Sequence, residues 1–503
     1  MLKFRVLDNG QTADDWDLRN AYLIGSDGNA MRAEISYHDR VIQCEKRESG
    51  LAALALQHRV GECGELTVQT CLLPEREAPY LLNLELARHQ LMQLYTKLED
   101  WNLFDLPTEH PAARRADRGR KLFIEAVNFQ DTESERAEKL AQESLINAID
   151  GSEELALAHA VLLLEKRKSN RGMPRYPIGC GVHTASNGER IRAGLAANFD
   201  FVHLPLSWRR MAPEESDYQW SDSDNWVEWV DRERIPVVAG PVVNFESHAL
   251  PDWLYIWEHD YDTLRDLIYE HIDRVVKRYG GVIATWNVVS GLHVNSNFSF
   301  NFDQIMDLTR MSTLLIKERQ PNAKVLVELR QPFGEYYGDN QRSIPPLMYA
   351  DLLVQSAVNF DGFSIKLLMG QALPGQYTRD LMQISCMLDQ FSHLGKPITL
   401  TIAVPSEMVT QIMRAPPDAS DPIDPNCGYW RKPWSVQVQS HWLEALFKIA
   451  LSKPHVDSVA WHDLVDHDDI ELPMAGLVSE DQQPKGAFRR LVNFRRSLQD
   501  SVA

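Results

Sequence analysis

From residue 177 to residue 498 the chain alternates short apolar runs with longer amphipathic stretches, and the rhythm repeats eight times. The apolar runs are Pro177 to Val182, Phe201 to Leu206, Pro236 to Val243, Val282 to Val289, Lys324 to Leu329, Gly362 to Leu368, Ile398 to Val404 and Asp457 to Trp461. Such runs, rich in Val, Ile and Leu, mark strands buried on both faces of a parallel sheet. Helical periodicity follows them, as in Asn225 to Arg234, Tyr261 to Tyr279, Phe302 to Arg319, Thr378 to Leu394, Val436 to Leu451 and Pro484 to Leu498. The pattern predicts an α/β protein whose residues 177–497 close into a (β/α)8 TIM barrel. The functional groups of such a barrel gather at the C-terminal ends of its strands.

The chain before the barrel reads differently. Residues 1–86 alternate apolar and polar side chains over short segments separated by turn residues such as Asp27-Gly28-Asn29, which predicts a β-sandwich. It reads equally as a carbohydrate-binding-like module or as a packing module. Residues 87–170 take a helical period, with helices expected over Leu86 to Trp101, Asp117 to Phe129, Thr132 to Asp150 and Ser152 to Lys168. Thr132 with Glu135 has the form of a capping box. This segment is expected to be a scaffold, or a surface through which copies of the chain assemble. Ser169 to Arg175 reads as a linker.

Composition narrows the function. With 52 basic and 71 acidic residues the formal net charge is −19, which argues against nucleic acid as a partner. No apolar run is long enough to span a membrane. The first residues, Met1-Leu2-Lys3-Phe4-Arg5-Val6, lack the apolar core of a signal peptide, so a cytoplasmic location is expected. Six scattered cysteines form no CxxC pair, and neither a structural metal nor a cofactor is signalled.

One segment, Ala284-Thr285-Trp286-Asn287-Val288-Val289-Ser290-Gly291, resembles the Trp-Asp-Val-Val-Asn-Glu that ends the fourth barrel strand of family 10 glycoside hydrolases, the endo-β-1,4-xylanases. Leu250-Pro251-Asp252-Trp253 is similar to that family's Leu-Pro-x-Trp, and Pro484-Lys485-Gly486-Ala487-Phe488 to its Pro-Lys-Pro-Ala-Tyr. Trp461 falls where the family has its eighth-strand tryptophan. The resemblance covers roughly residues 177–497 and implies a protein acting on β-linked polysaccharide. It also implies a loss. Gly291 stands at the place of the family's general acid/base, and Ile402, within Thr401-Ile402-Ala403-Val404, at that of its nucleophile. A retaining glycosidase needs both carboxyl groups, and neither side chain here has one.

A rebuilt site would draw on His183, Trp208, Glu246, His248, Asn287, His293, Glu328, Arg330, Lys366, Glu407, Trp461, His462 and Asp463 at the strand ends. Glu246 and Glu328 flank the fourth strand and are the candidate relocated catalytic pair. Alternatively Glu328, Arg330 and Lys366 form an ion-paired rim. Trp208, Asn287, His293, Arg330, Lys366, Trp461 and His462 are the candidate ligand-binding residues, the tryptophans as faces for pyranose rings. His462-Asp463 with His467, Asp468 and Asp469 has donor types that suit a metal, yet an acidic loop is more often simply solvated. The reading preferred on sequence is a protein that binds a β-linked oligosaccharide without ordinary retaining hydrolysis. A hydrolase with relocated carboxylates and a non-catalytic scaffold are the alternatives.

Overall fold

Eight parallel strands close on themselves. In chain order they are Ile178–Gly181, Phe201–Leu204, Val237–Ala239, Thr285–Ser290, Lys324–Arg330, Gly362–Leu368, Ile398–Ala403 and Val456–Trp461. Each pairs with its sequence neighbours. The eighth returns to the first through Ile178↔Val459 and Cys180↔Trp461, and the third meets the fourth through Val238↔Thr285. The computed structural model describes residues 1–8, 11–12, 16, 18–47, 49–185, 188–409 and 427–499.

The helices between strands form where the periodicity placed them, and local chemistry sets their ends. Asp260 accepts from the backbone N–H of Thr263 at 3.1 Å to start Tyr261–Tyr279, whose last turn carries Lys277 and Arg278 against the helix dipole. Asn301 and Gln304 form a reciprocal capping box ahead of Phe302–Arg319. The layer between strands and helices is apolar and closed. Trp226, Trp286, Trp442, Trp461 and Phe363 are fully buried in it, each contributing roughly 1.5–3 kcal/mol of transfer free energy.

The third strand departs from the expected run of Pro236 to Val243. It stops at Ala239 and resumes over Val243–Asn244. Gly240 between them has φ +121°, and a Cβ there would lie 2.1 Å from the carbonyl oxygen of Asn287. The backbone of the fourth strand passes too close for any side chain.

Ahead of the barrel, a four-stranded and a five-stranded sheet share one core, to which Leu2, Phe4 and Ile42 contribute from the first and Leu23, Leu54, Leu56, Leu66 and Val68 from the second. This is the expected sandwich, with one strand the sequence did not disclose. Tyr429–Trp430, from the loop after the seventh barrel strand, pairs antiparallel with Gly64 and Glu65 and completes the edge of the five-stranded sheet. The next residue, Arg431, forms ion pairs with Asp150 and Glu153.

Those acids lie on the long helix Ser134–Ser169, which corrects two expectations. The two helices anticipated over Thr132 to Asp150 and Ser152 to Lys168 are one. Gly151 does not break it because the position is a close approach: a Cβ there would sit 3.1 Å from Arg115 Cβ and 3.3 Å from Leu94 Cδ2. Thr132 is not the N-cap. Its N–H closes a turn onto Phe129 at 3.2 Å, and the helix starts after Glu133 with no side-chain cap.

Candidate functional site

The C-terminal ends of the barrel strands surround a cavity of about 870 Å³. Its walls carry five histidines (His183, His203, His248, His462 and His467), the carboxylates Glu328, Asp463 and Glu471, and Lys366. Arg209 and Arg210 stand at the rim, paired with Asp252 at 2.7 Å and Asp469 at 2.5 Å.

Glu328 points inward from the fifth strand and is almost fully buried. The Asn287 amide donates to its Oε2 at 2.6 Å and the Ser290 hydroxyl to its Oε1 at 2.7 Å, with Ser364 at 3.4 Å. Two residues on, Arg330 faces the same way, as alternation along a strand requires. Its guanidinium forms an ion pair with Glu246 and lies 2.5 Å from Oε1 of Glu471, whose other oxygen pairs with Lys366. His462 approaches that second oxygen with Nε2 at 3.5 Å, and its Nδ1 lies 2.8 Å from Asp463.

These contacts fix charge states. Burial works against ionisation of Glu471, but Arg330 and Lys366 overcome it and hold the carboxyl well below the usual range. Burial and Lys366 likewise oppose a charge on His462, yet Asp463 and Glu471 prevail and raise its pKa. Asp463, despite its own burial, is held well below the ordinary carboxylate value by His462 and His467. His203 behaves oppositely. Burial pushes it down to about 4, and its Nε2 has no hydrogen-bond partner.

Of the candidate residues, Glu328, Lys366 and His462 line the cavity, along with His183, His248 and Asp463. Arg330 stands just behind, and Glu246 is its ion-pair partner. Asn287 acts through Glu328, as described. His293 is fully buried, stacks on Tyr349 with ring centroids 5.2 Å apart, and its Nε2 meets the carbonyl oxygen of Arg330 at 2.9 Å. It positions the strand instead of lining the mouth. The expected pyranose faces are not offered either. Trp208 stacks on His271 at 4.2 Å, and Trp461 is fully buried with its indole N–H donating to Ala475 at 2.8 Å. Apart from the histidines, Tyr255 is the aromatic ring at the cavity wall among the described residues. Glu407 is exposed on the loop after strand seven, outside the cavity.

Gly291 follows the last residue of the fourth strand with φ +78°, and a Cβ there would lie 3.9 Å from Arg330 Cδ. Ile402 pairs in register with Leu367 and Trp461, while Thr401 pairs with Lys366. Side chains alternate across a sheet, so Ile402 lies on the face opposite to Lys366. The inward neighbours on that strand are Thr401 and Ala403, which carry no carboxyl group.

Glu471 and His203 are the residues that sequence reasoning missed. His203 had a signal, a lone polar side chain inside the apolar Phe201–Leu204. Glu471 had only its place in Ile470-Glu471-Leu472, an acid between two residues that turn out to be buried. A set of three groups, Glu246, His248 and Glu471, brings one donor atom each within 4.8 Å of the others, a spacing suited to a cation. Here the guanidinium of Arg330 supplies positive charge to both carboxylates.

Residues 175–307 match the family model described as Glycosyl hydrolase family 10. The endo-1,4-beta-xylanase A of Xylanibacter ruminicola is 28% identical over 141 residues, which is 26% of this chain and 35% of that protein, so the match spans about a third of the relative's length. Among solved structures, an endoxylanase of family 10 from a sugarcane soil metagenome is 17% identical with a TM-score of 0.49, covering 64% of this chain and 97% of its own. Xylanase 10B of Thermotoga maritima is 16% identical with a TM-score of 0.48, covering 67% and 98%. Residues 175–307, the first part of the (β/α)8 barrel, thus carry the likeness to family 10 glycoside hydrolases.

Proposed function

We propose that the barrel mouth binds a β-linked saccharide and does not carry out retaining hydrolysis. The observation that carries this reading is the state of the carboxyl groups at the cavity. Glu471 is clamped by Arg330 and Lys366 and ionised, Asp463 is held low by its histidines, and Glu328 accepts hydrogen bonds from Asn287 and Ser290. Neither Glu471 nor Asp463 stands as a protonated acid ready for a leaving oxygen, as the retaining mechanism demands, and both oxygens of Glu328 are already engaged by Asn287 and Ser290. Glu246, the other half of the relocated pair, is ion-paired to Arg330. The kinship of residues 175–307 with xylanases suggests xylo-oligosaccharides as the first ligands to try.

Isothermal titration calorimetry with xylobiose to xylohexaose, beside reducing-sugar release from xylan, tests the reading. Binding without turnover is expected. Sugar release that disappears in Glu246→Gln or Glu328→Gln would overturn it in favour of a relocated catalytic pair.

A further inference from the structure

Three cations at the barrel mouth converge on one point. Arg330 from the fifth strand, Lys366 from the sixth and His462 after the eighth all reach the carboxylate of Glu471. Their side chains are 7%, 10% and 14% exposed, so the charges are held away from bulk water. A guanidinium, an ammonium and an imidazole arranged around two oxygen atoms are the donor set of a carboxylate receptor. The occupant is tethered. Ile470 and Leu472 on either side of Glu471 are buried, and the loop is fastened farther along by Lys485 against Asp466 at 2.5 Å and by the Gly476 N–H on Asp466 at 2.7 Å. A ligand carboxylate must therefore compete with one delivered by the chain itself at high effective concentration.

We propose that Arg330, Lys366 and His462 form an anion receptor which the chain plugs with its own Glu471, and that this plug restricts the cavity to uncharged saccharides. The proposal rests on the saccharide-binding reading for its ligand class. Lys366, His462 and Glu471 all line the cavity, so the receptor opens to the same space a sugar would occupy. With the plug removed, the subsite would take the carboxylate of a uronic acid residue.

The test compares the wild type with Glu471→Ala, using xylotetraose and the same oligosaccharide bearing one glucuronic acid branch. The ratio of affinities, acidic over neutral, is expected to rise at least tenfold in the variant and to fall back when Lys366→Met is added. An unchanged ratio would overturn the proposal, as would a wild type that already prefers the acidic ligand. Because Glu471→Ala takes the carboxylate from Lys366 and leaves Arg330 with Glu246 and His462 with Asp463, it lowers stability, and a second measurement follows its melting temperature in sodium glucuronate against glucose at matched ionic strength. Glucuronate is expected to raise the midpoint of the variant and leave that of the wild type unmoved, and no rise in the variant would also overturn the receptor. This readout needs no oligosaccharide. If neither protein binds either tetrasaccharide while glucuronate still stabilises the variant, the receptor stands and the saccharide reading falls.

Discussion

Arg330 and Glu471 meet at 2.5 Å although 141 residues separate them, one on the fifth barrel strand and the other in the loop after the eighth. The same guanidinium also pairs with Glu246 after the third strand, so one side chain ties three sectors of the barrel mouth together. Arg330→Met would take the guanidinium from two partly buried carboxylates, leaving Glu471 to Lys366 and His462. We expect a loss of about 3–5 kcal/mol in denaturant unfolding, the usual cost of breaking a buried pair by removing one partner. Arg330→Lys should recover little of it, since one ammonium cannot reproduce a fork that serves two acids.

Placing an acid at the end of strand four is not expected to produce a glycosidase. Gly291 has φ +78°, a conformation that costs a residue with a side chain on the order of 1–2 kcal/mol. The Cβ of Gly291→Glu would also lie 3.9 Å from Arg330 Cδ, so its carboxylate would compete with Glu246 and Glu471 for that charge. The expected result is a lower melting temperature and no reducing-sugar release from xylan. Measurable hydrolysis by this single variant would show that a nucleophile is already in place.

The N-terminal half has a pH dependence of its own. Glu138 is buried, and burial raises its carboxyl from the ordinary 4.5 to about 7, with the Asn83 amide donating to one oxygen while the other has no partner. The folded state therefore favours the protonated acid. Its contribution is complete below pH 4.5 and is lost as the pH rises through about 7, a change of about 3 kcal/mol at 1.36 kcal/mol per unit. Glu138→Gln, which cannot ionise, should gain stability relative to the wild type between pH 5 and pH 8, measured by urea unfolding at both values. Equal differences at the two values would refute it.

Arg431 fastens the extra strand to the long helix. Arg431→Ala leaves Glu153 without its cation and Asp150 with Arg115 alone, at a cost of about 3 kcal/mol. Hydrogen exchange should read the loss locally, as weaker protection at Gly64 and Glu65, where Tyr429–Trp430 pairs. A uniform loss across barrel and sheets would mean that the tie is global.

What the sequence disclosed follows from the range of the forces involved. The sixth strand and the helices Tyr261–Tyr279 and Phe302–Arg319 were legible to the residue because their periodicity and the layers they bury act together. The barrel followed from that periodicity. The site was legible only in part. Glu328, Lys366 and His462 could be placed at the mouth because strand alternation and strand ends are local properties. Trp208 and Trp461 were misjudged because an aromatic residue at a strand end looks the same whether it floors a pocket or plugs the core. Glu471 escaped because a loop's path depends on what anchors it, here the burial of Ile470 and Leu472 and the bond of Asp466 to Gly476. Ile402 was assigned to the mouth by likeness in sequence, and only the register with Leu367 and Lys366 reveals which face it takes.

The strand Tyr429–Trp430 has a consequence for synthesis. A ribosome releases the first seventy residues long before it reaches position 430, so the N-terminal sheet must wait with the rim of Gly64 and Glu65 bare until most of the polypeptide has emerged. Expressing residues 1–170 by themselves would make that interval permanent, and such a fragment should self-associate through the uncovered rim.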